Sequence, residues 1–103
     1  MVGSTNPDAA AIADVLAGQR ESFGLIVDRY ERPLFRVALS RLGDAELAEE
    51  AVQEAFLCAY RSLHTYDSRF SFRTWLWTIL VNQCRRAYGK AKRTPPTLSM
   101  DAV

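Results

Sequence analysis

The strongest constraint on this 103-residue chain is its periodicity: apolar residues recur at intervals of three and four, and short breaker segments interrupt them. Asn6-Pro7-Asp8 reads as a helix start, with a capping side chain, a proline at the first helical position and an acid at the positive end of the dipole. Strong helix formers run from Ala9 to Ala17, and Gly18 is a natural stop. Between Glu21 and Leu42, the residues Phe23, Ile26, Val27, Tyr30, Leu34, Val37 and Ala38 share one helical face. Pro33 either kinks that span or begins a second helix in it. Gly43 breaks the pattern, and Asp44 caps a helix to about Leu63. Residues 65–71 are a turn-rich loop, and Ser71 or a neighbour caps a last helix from Phe72 to about Lys92, ahead of Pro95-Pro96. The expected fold is all-α: a compact bundle of about four helices over residues 8–93. A flexible N-terminus (1–7) and a linker or tail (94–103) flank it.

Composition narrows the function. With 49% hydrophobic residues and eleven aromatics, disorder is excluded, and the length suits one core. No apolar run approaches the roughly 20 residues of a membrane span. The first residues lack the basic-then-apolar order of a signal peptide, so the cytoplasm is expected. Cys58 and Cys84 have no metal-ligand spacing and fall in apolar helical patterns; free core thiols are expected, with a disulfide as the alternative. His64 is the lone histidine and there is no Gly-rich phosphate loop. Neither catalysis nor a cofactor or metal is expected.

The formal charge of +1 conceals a division. Residues 1–60 hold ten acids and five bases, a charge of −5; residues 61–103 hold eight bases and two acids, a charge of +6. Such asymmetry points to two unlike partners. On a wheel of residues 44–63, Ala48, Ala51, Val52, Ala55, Cys58, Ala59 and Leu63 form the core stripe. Glu46, Glu49, Glu50, Gln53, Glu54, Leu57 and Tyr60 lie opposite. Acids on an outward face ordinarily mean a solvated surface. Leu57 in their midst is what points to docking of a basic, partly apolar partner.

The last helix shows two apolar stripes, Phe72-Trp75-Leu76-Ile79-Leu80 and Trp77-Val81-Cys84-Tyr88, which would make it central to the bundle. Between them runs a polar strip of Thr74, Thr78, Asn82, Arg85 and Lys92, with Arg86, Lys90 and Arg93 widening the positive end. An amide reads a base edge and cations hold phosphates. Trp75 and Trp77 fall in the stripes and read as core. Tyr66 in the loop, with Asn82 and Arg73, is expected to form a pocket for one unstacked base.

The run Asp44–Leu63, with its Val-Gln-Glu-Ala-Phe block, and the run Phe72–Asn82, with Phe-Arg-Thr-Trp-Leu, resemble region 2 of bacterial sigma factors of the extracytoplasmic-function (ECF) group. Gly18 followed by Phe23 to Tyr30 fits as well, so the resemblance covers residues 9–93. It implies a domain that binds core RNA polymerase and recognises the melted −10 promoter element, with no chemistry of its own. It implies docking of the third helix on the clamp helices of the largest polymerase subunit, through Glu50, Gln53, Glu54, Leu57 and Tyr60, with Glu46 and Glu49 on the same face. Capture of a flipped non-template base would fall on Tyr66, Asp67, Ser68, Arg69, Ser71 and Asn82. Backbone contacts would fall on Arg73, Thr78, Arg85, Arg86, Lys90 and Lys92, although many relatives carry Arg where Thr78 stands. After Trp77 come Thr78 and Ile79 instead of the aromatic pair of housekeeping members, which matches the ECF group with its weaker melting and stricter promoter choice. An anti-sigma factor is a further implied partner. The helix-turn-helix region that reads the −35 element is absent, as in an isolated domain or an incomplete member. The alternative is a protein–protein module that holds polymerase or an anti-sigma factor without sequence-specific DNA binding.

Overall fold

A computed structural model describes the backbone of residues 8–93 and the side chains of residues 8–90. The expectations for residues 1–7 and 94–103, and for the side chain of Lys92, lie outside the described residues. Four α-helices follow one another: α1 (Ala9–Leu16), α2 (Phe23–Leu42), α3 (Ala45–Ser62) and α4 (Phe72–Arg93). Short 3-10 turns at Arg20–Ser22 and Leu63–Thr65 lead into α2 and out of α3.

The boundaries follow local chemistry. Gly18 and Gly43 take positive φ angles of 105° and 67°, which an L side chain adopts only under strain. The Gly43 N–H donates to the Leu39 carbonyl and closes α2. Asp44 then caps α3, its carboxylate accepting from the Leu47 N–H at 3.1 Å. Ser71 caps α4 in the same way, accepting from the Thr74 N–H at 3.1 Å. Pro33 begins no new helix: it lies within a continuous α2.

Helix α3 lies between α2 and α4 and packs on both, while α2 also touches α4 and α1 lies on α2. Buried Ala48, Ala51, Ala55 and Ala59 give α3 a narrow face that lets both neighbours approach. Two expectations change here. The central helix is α3, and α4 has a single core line: Phe72, Leu76, Leu80 and Cys84 are buried, whereas Tyr88 is 52% exposed and Trp77 and Val81 are half-buried. Residues four apart advance about 40° beyond a full turn. That core line therefore winds around α4 and recruits from both anticipated stripes. On α3 the buried face reaches Phe56, which packs edge-on to Phe23, and Cys58 is left half-buried. Both cysteines are free thiols.

Asp8, expected to favour the α1 dipole, is buried and makes no side-chain cap bond. Its carboxylate accepts from the Tyr30 hydroxyl at 2.5 Å and pairs with Arg29 at 2.9 Å. These contacts bind the start of α1 to α2.

Candidate nucleic-acid interface and docking groove

Among the concave surfaces of the described residues, three bear on the expected site residues of α3 and α4. The first runs between α2 and α3, with Phe23, Val27, Phe35, Val52, Phe56, Leu57 and Tyr60 along its apolar floor. Glu31, Arg32, Arg36, Glu49 and Gln53 form its rim. Of the expected docking residues, Glu49, Gln53, Leu57 and Tyr60 belong to this groove, and Leu57 is 45% exposed. The contribution of α2 was not anticipated. Val27, Glu31 and Phe35 are spaced by four, so a wheel of α2 would have aligned them along the groove.

The second surface separates α3 from α4. Glu50 and Glu54 lie on one side of it, Arg86 and Lys90 on the other, with Gln53 and Cys58 also lining it. The acidic face thus straddles two grooves, and Glu46 is exposed outside both. Carboxylates across the groove temper the positive potential of Arg86 and Lys90.

The third is a shallow strip along α4: Arg73, Thr74, Trp77, Thr78, Val81, Asn82 and Arg85. The Arg73 guanidinium sits 4.7 Å from the Trp77 ring centroid, so the half-buried indole and the cation form one platform. Asn82 and Arg85 are exposed one turn further on. The Thr78 hydroxyl donates to the Thr74 carbonyl at 3.0 Å, which commits its one proton within the helix. The structure brings Asn82, Arg73 and Arg85 together on this strip; Tyr66 does not line it.

Tyr66 instead packs edge-on against Phe72, tilts against Trp75 and donates its hydroxyl to the Phe70 carbonyl. Burial pushes its phenol pKa up, and the Asp67 charge adds to the shift. The rest of the loop is tied to itself. The Arg69 guanidinium grips the Asp67 carboxylate at 2.7–3.1 Å, and the Arg69 N–H donates to it at 2.9 Å. These bonds hold the Asp67 carboxyl below the usual carboxylate range and raise the Arg69 pKa. Ser68 and Ser71 are exposed, and Ser71 serves as the α4 cap. The outward aromatic is Phe70, 66% exposed. Among the described residues no group of three or more His, Cys, Asp or Glu is placed to hold a metal, and no helix is long and apolar enough to cross a membrane.

Comparison with known proteins places these surfaces in context. The family model described as sigma-70 region 2 matches residues 26–94. The chain is 32% identical over 96 residues to the ECF RNA polymerase sigma-E factor of Escherichia coli K12, covering 93% of this chain and 50% of that protein. It is 30% identical over 95 residues to the RNA polymerase sigma-H factor of Pseudomonas aeruginosa, covering 92% and 49%. The chain therefore spans about half the length of the curated relatives it matches. An NMR structure of an engineered region 2 of sigmaE in complex with GTAAAA superposes with a TM-score of 0.79 at 29% identity, covering 90% of this chain and 96% of that one.

Proposed function

Because the chain belongs to the sigma-70 region 2 family, we propose that it couples RNA polymerase to the −10 promoter element and initiates transcription without chemistry of its own. The observation that carries this reading is that a structure of the same fold holds the six-nucleotide sequence GTAAAA. On this chain the α4 strip supplies the matching chemistry. Asn82 presents an amide suited to an adenine edge, and Arg73 and Arg85 flank it as phosphate-holding cations. Loop residues Tyr66 to Ser71 frame the flipped base, with Tyr66 as the internal strut of the frame. Thr78 adds only an acceptor, so backbone contacts rest on the arginines, with Arg86, Lys90 and Lys92 extending the field.

The α2–α3 groove takes the polymerase clamp. Its apolar floor and mixed rim suit the basic, partly apolar surface that Leu57 and the acids of α3 imply. The same groove is open to an anti-sigma factor, whose binding there would exclude polymerase. Action beside polymerase places the protein in the cytoplasm.

Two substitutions test the division. Asn82→Ala should lose about 1–3 kcal/mol of discrimination at one base while leaving polymerase binding intact. Leu57→Asp should weaken polymerase binding by about 2 kcal/mol with affinity for a single-stranded −10 oligonucleotide unchanged. Both are read by fluorescence anisotropy, with core polymerase or labelled DNA as the titrant. If Asn82→Ala leaves base preference as it was, the chain is a protein–protein module and the DNA assignment fails.

A further inference from the structure

Among the described residues Asp8 is the one buried charged side chain, 3% exposed. Burying a carboxylate is costly, and a buried ion pair often stabilises no more than well-packed apolar residues of similar volume. What a directional bond adds to packing is a fixed position. The Asp8 carboxylate accepts from the Tyr30 hydroxyl at 2.5 Å and pairs with Arg29 at 2.9 Å. Two successive residues of α2 thus hold the residue at which α1 begins.

Two routes run from this bond to the loop before α4. Along the first, the Tyr30 ring tilts against Phe72 with centroids 6.1 Å apart, and Phe72 meets Tyr66 edge-on at 5.2 Å. The Tyr66 hydroxyl donates to the Phe70 carbonyl, so the chain of rings ends on the loop backbone. Along the second, α1 touches the 3-10 turn Leu63–Thr65, and the next residue is Tyr66. The Tyr66 phenol pKa, raised first by burial and then by the Asp67 charge, also responds to the charge of Asp8. Both routes converge on Tyr66 and start at the Asp8–Tyr30 bond. Asp8 and Tyr30 are themselves buried and do not line the α4 strip, so neither is placed to touch DNA there.

We propose that Asp8 and Tyr30 are positioning residues for base selection: their hydrogen bond fixes Tyr66, and through it the loop that frames the base. The inference rests on the DNA-binding reading above and assigns part of its selectivity to a contact remote from the strip. Phosphate-holding cations and base-framing groups separate cleanly here, because Arg73 and Arg85 are carried by α4 itself. Loss of the Asp8–Tyr30 bond therefore loosens the choice of base and leaves attraction to the phosphates as it was.

The test titrates the intact chain with two fluorescein-labelled single strands, a hexamer selected from a randomised pool and its scrambled counterpart. The ratio of the two affinities measures selectivity. Tyr30→Phe keeps the ring against Phe72 and removes the donor. Its ratio should fall about tenfold, the size of one good base contact, with affinity for the scrambled strand unchanged. Asp8→Ala should do the same. Asp8→Asn keeps an acceptor for the Tyr30 hydroxyl and should retain the parental ratio, with the half-exposed Arg29 left to water. Circular dichroism establishes that each variant is folded during the titration, and a bond that served stability alone would then leave the ratio untouched. If Tyr30→Phe does not fold, Asp8→Asn against Asp8→Ala makes the same comparison. Parental selectivity in folded Tyr30→Phe or Asp8→Ala, or an Asp8→Asn no better than Asp8→Ala, overturns the positioning role and leaves the DNA-binding reading standing. A parent that does not distinguish the two strands overturns both.

Discussion

Tyr30 is the residue whose environment departs furthest from what a sequence discloses. Periodicity identifies it as core, and it is buried, but its hydroxyl also holds the carboxylate of Asp8, twenty-two positions earlier. Burial, then the hydrogen bond to Asp8 and its charge, push the phenol pKa from 10.0 up to about 12. A raised folded-state pKa means that the contribution to stability is complete below the unfolded value and disappears as pH climbs through the folded one. Urea unfolding at stepped pH should therefore show stability falling between about pH 10 and about pH 12. Tyr30→Phe should flatten much of that fall, leaving the smaller part due to Tyr66. At neutral pH the variant should cost about 1–3 kcal/mol, because Asp8 keeps its burial and loses a donor. Parallel pH profiles for parent and variant would contradict the assignment. Asp8 was legible only as an acid favouring a helix start. Its true partner depends on how α1 lies on α2, which no local pattern encodes. Tyr66, expected in a base pocket with Asn82 and Arg73, packs against Phe72 and Trp75 at the start of α4.

At the scale of elements, the helices were legible because their ends are written in local chemistry. Gly43, Asp44 and Ser71 act within four residues of themselves, so sequence order is enough to place them. Gly43 offers a clean measurement, since a Cβ at that position would meet nothing within 4 Å. Gly43→Ala should therefore cost about 1 kcal/mol from backbone strain alone, read as a shift in urea midpoint at unchanged slope. A neutral substitution would mean that the left-handed turn between α2 and α3 is not required. Which side of each helix is buried was legible where the helix has one neighbour face. It failed on α4, whose core line winds from Phe72 to Cys84, and on α3, where contact with α2 draws in Phe56. The α2 half of the docking groove was present in the spacing of Val27, Glu31 and Phe35, and only a wheel of that helix was needed to see it.

Across the whole molecule, the division of charge between the two parts of the chain becomes a division of surfaces, with one refinement. The acidic α3 and the basic α4 are packed neighbours, so Glu50 and Glu54 face Arg86 and Lys90 across a shared groove. The positive surface left facing away from the acids is concentrated on Arg73 and Arg85 of the α4 strip. On the proposed reading the partner is an unstacked strand, whose base edges an amide such as Asn82 reads while Arg73 and Arg85 hold its phosphates. The most direct test compares one −10 sequence as single-stranded non-template DNA and as duplex, titrated into the chain over a range of salt concentrations. The single strand should bind more tightly, with log affinity falling against log salt at a slope of about −0.7 per phosphate contact. Equal affinity for strand and duplex, or a slope near zero, would contradict the proposal that this domain captures melted promoter DNA.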